Sequence, residues 1–278
     1  MRLVTFEGGF GYLEGDAVVP MGRDLLSYLA TGESSQGEPV PLASLQLRAP
    51  IPRPGKIIGV STNYRDVLEY FGQPAPPEPI LFAKWANSVI GPGDPILIPA
   101  ATQEPDFEAE LGVVIGRSVS DVGVPEALEY VAGYTCLNDV TAGDLIVHSK
   151  QLVPGKAIDT FLPMGPYLVT ADEVGDPQDL AIQCWLNGEL RQDSSTSLMV
   201  YGVAELVSFI SRTIMLEPGD VIATGTPLGG AMGHLQDPPR FLCEGDEVTV
   251  KIERVGVLTN PVKARPRPIG KLHEDRRI

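Results

Sequence analysis

The sequence predicts a strand-dominated α+β fold, and three observations support this prediction. Short apolar runs such as KIIGVS, GVVIG and VIATG recur along the chain, each about as long as a buried strand. Turn sequences such as GPGD, EPGD and EGD precede several of the apolar runs. Helical patterns are few and short. We therefore expect a rolled β-sandwich core with a few short helices.

Composition divides the chain into three segments. Residues 1–52 contain two alternating runs, RLVTFEGG and GYLEGDAVVPM, which predict a small N-terminal lobe rich in strands. Residues 53–262 form the predicted main domain. Residues 263–278 form a basic tail with two Arg-Pro steps, which we expect to be extended. The length of 278 residues fits one sizeable domain with a small one.

Helices are predicted where apolar residues recur at a helical spacing or where proline follows a turn. The segments are 24–30, 64–71, 125–131 and part of 200–216. The segment 64–71 is followed by the proline-rich sequence GQPAPPEP, which predicts a long loop. A short helix beside a long loop is typical of a lid over a site, and an ordinary surface loop is the alternative.

Charge and composition exclude several classes of partner. The formal net charge of -15 argues against binding to nucleic acid or to an anionic membrane surface. No apolar run approaches the ~20 residues of a membrane span, and the N-terminus lacks a signal-peptide pattern. Three cysteines are too few for a disulfide framework. We expect a cytoplasmic protein that acts on a small molecule.

The stretch DFEAELGVVI carries the strongest local signal for chemistry. Asp106, Glu108 and Glu110 alternate with apolar residues, so an extended strand would place the three carboxylates on one face. Carboxylates this close repel each other and need a cation or open water. Asp139, in the later sequence LNDVTA, is a further candidate ligand. The pattern suggests a Mg²⁺ or Mn²⁺ site, and a solvated edge strand remains the alternative.

Six segments together resemble the fumarylacetoacetate hydrolase family, and specifically its branch of acylpyruvate hydrolases and 2-hydroxyhepta-2,4-diene-1,7-dioate isomerases. They are KIIGVSTNYRD, FEAELGVVIG, AGYTCLNDVTA, GKAIDTFLPMGPYLVT, LNGELRQDSSTS and LEPGDVIATGTPLG. They span roughly residues 50–262 in the family's order, which makes the set specific although each segment alone is weak. The resemblance implies the rolled β-sandwich of that family, a catalytic main domain and a homodimer.

The resemblance also assigns roles to individual residues. The metal ligands of the family fall on Glu108, Glu110 and Asp139. Lys156 matches the site lysine. Thr226 matches the residue that holds the substrate carboxylate through its hydroxyl and backbone N–H, and Gly225 directly before it is also expected to bind substrate. The ion would bind a 2-oxo acid and stabilise an enolate, so decarboxylation, tautomerisation and C–C cleavage all remain open.

The sequence surroundings of two basic residues make both of them further candidate substrate ligands. Arg65, at the start of the predicted lid, can hold a distal carboxylate with its guanidinium, and a solvated surface position is equally open. Lys84 lies between apolar residues and points either into the site or outward along its aliphatic stem.

The predicted lid departs from the family pattern NYRDHAAE. The chain has NYRDVLEY, so Val67 and Tyr70 stand where the family has the histidine and glutamate that activate water. Glu69 is shifted by one residue, which on a helix is a turn of about 100°. His234, in the glycine-rich loop, is the other candidate base. A second departure places Gly143 where the family has arginine.

Three readings follow from these residues. The first is a metal-dependent enzyme of non-hydrolytic type, acting on an acylpyruvate-like 2-oxo acid with Lys156. The second is a C–C hydrolase in which Glu69 or His234 serves as base. The third is a metal-binding homologue without turnover. The loss of the lid histidine favours the first, because valine cannot accept a proton from water.

Overall fold

The computed structural model describes residues 1–235 and 238–266, and of His234 the backbone alone. Nineteen strands lie within these residues. They are β1 (Arg2–Phe6), β2 (Gly9–Glu14), β3 (Ala17–Gly22), β4 (Val40–Pro41), β5 (Leu47–Arg48), β6 (Ile57–Ser61), β7 (Ile80–Lys84), β8 (Val89–Ile90), β9 (Ile96–Ile98), β10 (Pro105–Asp106), β11 (Ala109–Ile115), β12 (Val131–Asn138), β13 (Thr141–Ala142), β14 (Leu162–Thr170), β15 (Ala181–Leu186), β16 (Glu189–Ser195), β17 (Val221–Ala223), β18 (Glu247–Ile252) and β19 (Gly256–Ala264).

Two sheets build the core. The larger one runs β4-β3-β2-β1-β14-β12-β11-β17-β6-β7, with β5 paired to β1 and β8 paired to β14. The second sheet runs β16-β15-β18-β19-β9, and β10 pairs with β13 apart from both. One cluster of buried side chains takes Leu111 and Val113 from the larger sheet and Ile182 and Val250 from the second. Burial of apolar groups between the sheets is therefore the main stabilising contribution, and the predicted strand-dominated α+β fold is confirmed.

The N-terminal strands extend the larger sheet. Strand β1 pairs antiparallel with β14, with Arg2 opposite Val169 and Leu3 opposite Leu168. At the other end, β19 continues to Ala264, so the first two residues assigned to the basic tail belong to a strand. Residues 267–278 of that tail lie outside the described residues. The division at residue 52 stays a prediction about how the chain is organised.

Seven short α-helices complete the described part of the chain. They are α1 (Leu25–Thr31), α2 (Arg65–Tyr70), α3 (Val124–Ala127), α4 (Gly143–Ser149), α5 (Val153–Lys156), α6 (Ala171–Val174) and α7 (Val203–Ser211). Each of the four predicted helical segments overlaps one of these helices. Helices α4, α5 and α6 were not predicted, because four to seven residues are too few to show a helical period.

Two further findings bear on the expected protein class. No helix within residues 1–235 and 238–266 has the length and apolar character needed to cross a membrane. All three cysteines are free thiols; Cys136 and Cys184 are buried and Cys243 is exposed.

Candidate active site

The acidic stretch is interrupted where the sequence predicted a continuous strand. Strand β10 ends at Asp106, and β11 begins only at Ala109. Asp106 accepts hydrogen bonds from the backbone N–H groups of Phe107 (2.9 Å) and Gly233 (2.6 Å). Burial raises the pKa of Asp106 to about 7. The Asp106 carboxylate therefore binds the glycine-rich loop at Gly233. It does not lie with the carboxylates of Glu108 and Glu110.

Three buried carboxylates converge beside the start of β11. Those of Glu108, Glu110 and Asp139 have oxygen atoms within 4.8 Å of one another. Two hydrogen bonds hold the backbone of Glu108 beside the end of β12. Its N–H donates to the side-chain Oδ1 of Asn138 (2.9 Å), and its carbonyl accepts from the N–H of Asp139 (2.8 Å). These bonds bring Glu108 beside Asp139, 31 positions later in the chain, as the sequence suggests.

Glu110 is oriented by the loop that follows β17. The backbone N–H of Gly225 donates to Glu110 Oε2 at 2.9 Å. Gly225 has φ +93°, and a Cβ there would lie 2.8 Å from Asn63 Cβ, so only glycine fits without displacement. Gly225 was expected to bind substrate. Its amide donates to a carboxylate of the cluster in this structure, and the expected contact with substrate stays a prediction.

Two lysines neutralise the cluster from different sides. Lys156 Nζ donates to Glu108 Oε2 (2.5 Å) and to Asp139 Oδ2 (2.6 Å). Lys84 Nζ lies 2.6 Å from Asp139 Oδ1, an ion pair whose angle is unsuited to a hydrogen bond, and donates to Val140 O at 3.3 Å. The Lys84 side chain is completely buried. The Lys84 ammonium is thus paired with Asp139 and does not line the cavity, and its expected role as a substrate ligand stays a prediction.

Burial and charge act differently on each member of the cluster. Burial opposes ionisation of Asp139, but the ammonium groups of Lys156 and Lys84 outweigh it and lower the pKa of Asp139. Burial, together with repulsion from Asp139 and Glu108, raises the pKa of Glu110 well above its usual value. Burial also raises the pKa of Glu108, against the attraction of Lys156. When all three carboxylates are ionised, they carry more negative charge than the two lysines neutralise.

A cavity of about 270 Å³ opens onto this cluster. Glu108, Glu110 and Lys156 line it, with Thr226 beside them. The Thr226 hydroxyl donates to Ala109 O (2.9 Å) and accepts from Gln192 Nε2 (2.8 Å), which fixes its position at the wall. Of the residues expected to contact substrate, Lys156 and Thr226 are the two that reach the cavity.

Helix α2 presents apolar side chains to the cavity. Val67 and Phe71, four residues apart and therefore on one helical face, line it. Glu69 is exposed and is not among the lining residues. Arg65 is also exposed, and its guanidinium donates to Ser197 O at 3.0 Å. In this structure neither side chain lines the cavity, and the roles of Glu69 as a base and of Arg65 as a substrate ligand stay predictions.

His234 was the other candidate base. Its side chain lies outside the described residues, so that expectation stays a prediction.

The sequence analysis missed two positioning residues. Asn138 holds the Glu108 backbone, as described above. Gln192 is 1% exposed; its Oε1 accepts from Ala109 N–H (2.9 Å), and its Nε2 also donates to Pro227 O (2.9 Å). The available signal for Asn138 was a polar residue at the end of an apolar strand sequence, YTCLN, whereas Gln192 lies in the polar sequence ELRQDSS and had no such signal. Buried amides of this kind are retained only with partners, which the sequence does not identify.

Comparison with known proteins places this site in a family. The family model described as fumarylacetoacetate (FAA) hydrolase, C-terminal, matches residues 56–263. The chain belongs to the fumarylacetoacetate hydrolase family. Mitochondrial oxaloacetate tautomerase FAHD2B of Bos taurus is 42% identical over 243 residues, which cover 87% of this chain and 77% of the relative. The protein is an enzyme of this family.

Solved structures agree with the family assignment. A 5-carboxymethyl-2-hydroxymuconate delta-isomerase from Mycobacterium smegmatis superposes with a TM-score of 0.83 at 35% identity, covering 95% of this chain and 100% of that one. A maleylpyruvate hydrolase from Sphingobium sp. SYK-6, solved with manganese(II) and pyruvate, gives 0.79 at 29% identity, covering 96% and 100%. The family fold thus carries both isomerases and hydrolases, and the site residues must distinguish them.

The carboxylate cluster has the donor set of a hard divalent cation. Three carboxylates face two ammonium groups, which leaves a formal excess of one negative charge in a buried place. Oxygen donors at this spacing suit Mg²⁺ or Mn²⁺, and three of them leave coordination positions for water and substrate. The residues present therefore fit a metal ion of this kind.

Proposed function

We propose that the protein is a divalent-metal-dependent isomerase that interconverts the keto and enol forms of a small 2-oxo acid. The observation that carries this proposal is the apolar face of α2, where Val67 and Phe71 line the cavity and Glu69 lies outside it. A general base contributes ~10²–10⁴-fold to a hydrolytic step. Tautomerisation moves a proton within the substrate and requires no activated water.

The residues of the cavity have complementary roles in this proposal. Glu108, Glu110 and Asp139 would hold Mg²⁺ or Mn²⁺, which when bound supplies Lewis-acid polarisation of the substrate's oxygens. The Lys156 ammonium reaches the cavity and holds a substrate oxygen while the proton at carbon 3 moves. Thr226 lies at the wall, where its backbone N–H would orient the substrate carboxylate, because its hydroxyl proton is donated to Ala109 O. The tautomerase named among the relatives supports the reaction type.

The deciding experiment measures two reactions on the same substrates. Metal-loaded protein is given oxaloacetate and acylpyruvates; enol absorbance reports tautomerisation, and NMR reports cleavage products. We expect kcat/KM for tautomerisation to exceed that for hydrolysis by at least ~10²-fold. The matched pair Lys156→Ala and Lys150→Ala tests the assigned lysine, because Lys150 is exposed. Hydrolysis as fast as tautomerisation would favour the C–C hydrolase instead.

We also propose a cytoplasmic homodimer. Strand β7 ends the order of the larger sheet, and Ile80 on it and Trp85 just after it are exposed apolar side chains. A strand edge with apolar groups is suited to an interface between copies. Light scattering coupled to size exclusion should give twice the chain mass of 29.8 kDa, and a monomer at micromolar concentration would contradict this.

A further inference from the structure

The cavity has a charged floor and an apolar remainder. Glu108, Glu110 and Lys156 occupy one end, whereas side chains from α2, β7, α4 and the loops line the rest. The apolar side chains are Val67, Phe71, Phe82, Ile146, Leu152 and Met232. The Phe82 ring centroid lies 5.1 Å from Lys156 Nζ, so the apolar lining begins directly beside the ammonium.

Lys156 is the single cation among the described residues that line this cavity. Its ammonium already contacts Glu108 and Asp139. Lys84 is buried behind Asp139, and the Arg65 guanidinium is bonded to Ser197 O outside the cavity. A carboxylate placed among the apolar side chains away from Lys156 would have no cation in hydrogen-bond reach among the described residues, and desolvating it there is costly.

The formal charges of the site also disfavour a second carboxylate on the substrate. Three carboxylates and two ammonium groups sum to one negative charge. A divalent cation changes the sum to one positive charge, which a single substrate carboxylate neutralises. A second substrate carboxylate would leave a net negative charge in a mostly apolar cavity.

We infer that the substrate is a 2-oxo acid with one carboxylate and an uncharged alkyl, aryl or acyl group beyond carbon 3. This inference rests on the proposed function, which leaves the distal group open. The cavity of about 270 Å³ suits a compact ligand of this kind. Discrimination follows because an apolar group gains burial at the lid, whereas a carboxylate there loses water and meets at most the hydroxyls of Ser61 and Thr62, with no cation among the described lining residues.

The test compares substrates that differ only at the distal group. Acetylpyruvate and oxaloacetate share the 2-oxo acid and the activated carbon 3, and differ by a methyl ketone in place of a carboxylate. We expect kcat/KM for tautomerisation of acetylpyruvate to be at least ~10-fold higher, and higher again for butanoylpyruvate. Equal or greater efficiency with oxaloacetate would overturn the inference while leaving the proposed isomerase intact. Turnover of neither would overturn both.

Binding provides a readout that needs no turnover. Calorimetric titration of metal-loaded protein with 2-oxopentanoate and 2-oxoglutarate compares ligands of equal chain length with and without a distal carboxylate. We expect at least ~10-fold tighter binding of 2-oxopentanoate, and tighter binding of 2-oxoglutarate would contradict the inference.

A variant pair tests the apolar lining directly. Ile146 lines the cavity from α4, so Ile146→Arg adds a cation there and Ile146→Met adds a long side chain without charge. Ile146→Arg should shift the ratio of oxaloacetate to acetylpyruvate efficiency upward by ~10-fold or more, and Ile146→Met should not. Thermal unfolding checks that both variants fold, and an unchanged ratio in folded Ile146→Arg would count against the inference.

Discussion

The Lys84 ammonium lies 2.6 Å from Asp139 Oδ1, and both side chains are completely buried. Asp139 also belongs to the carboxylate cluster, so a buried lysine outside the cavity contacts one of the candidate metal ligands. Because neither charge reaches water, each depends on the other for neutralisation. The same contact explains how a lysine in an apolar strand sequence is accommodated in the interior.

Removal of the Lys84 charge should destabilise the protein strongly. Lys84→Met leaves Asp139 with Lys156 alone, and breaking a buried pair from one side costs about 3–5 kcal/mol. Chemical denaturation of the metal-free protein measures the loss, with exposed Lys150→Met as the control. The double variant Lys84→Met/Asp139→Asn should recover part of the stability. A change below about 1 kcal/mol in Lys84→Met would show that the pair contributes little.

Glu110→Gln should separate metal binding from folding. Burial and neighbouring carboxylates raise the pKa of Glu110, so a neutral side chain of the same shape removes repulsion. We expect metal-free Glu110→Gln to be at least as stable as the parent at pH 8. The ionised form of Glu110 is the destabilising one, so this advantage should shrink as the pH falls toward the unfolded-state value near ~4.3.

Metal affinity should change in the opposite direction in the same variant. Loss of one of three charged ligands should weaken Mn²⁺ binding by ~100-fold or more, measured by electron paramagnetic resonance. Glu129→Gln, at an exposed position, is the control. Unchanged Mn²⁺ affinity in Glu110→Gln would remove Glu110 from the ligand set.

A basic side chain at position 67 of the lid helix should increase the rate of hydrolysis. Val67 lines the cavity, so Val67→His brings an imidazole to it, and we expect acylpyruvate hydrolysis to rise by ~10-fold or more. Glu69→Gln should leave both reactions unchanged, because Glu69 is exposed. Tyr70→Glu added to Val67→His should contribute little, since Tyr70 is 58% exposed. Loss of wild-type hydrolysis in Glu69→Gln would show that the lid closes differently with substrate bound.

Replacing each of two glycines near the site with alanine should change the stability of the protein in opposite directions. A Cβ at Gly143 would meet only Glu104 O, at 3.9 Å, whereas a Cβ at Gly155 would lie 2.4 Å from Ile146 Cγ1 and 2.5 Å from Ala142 O. Gly143→Ala should stabilise the protein by about 0.5 kcal/mol through reduced freedom of the unfolded chain. Gly155→Ala should destabilise it by about 1–3 kcal/mol. Thermal unfolding of the matched pair measures both, and a stabilised Gly155→Ala would contradict the packing described.

Sequence alone determined the strand-dominated class, the family and the three carboxylates of the cluster. These properties are local or periodic: alternation places Glu108 and Glu110 two residues apart, and short motifs carry the resemblance. The helical spacing of the lid also indicated that Glu69, one residue before the family's glutamate position, is rotated about 100° from it.

The tertiary structure alone decided which polar groups share the cavity. Asp106 follows the same alternation as Glu108, but the interruption of the strand after it directs its carboxylate to the glycine-rich loop. Lys84 and Gly225 come from distant strands and loops, and their partners Asp139 and Glu110 are 55 and 115 residues away in the chain. Such contacts depend on how strands pair and sheets pack, which local propensity and periodicity do not specify.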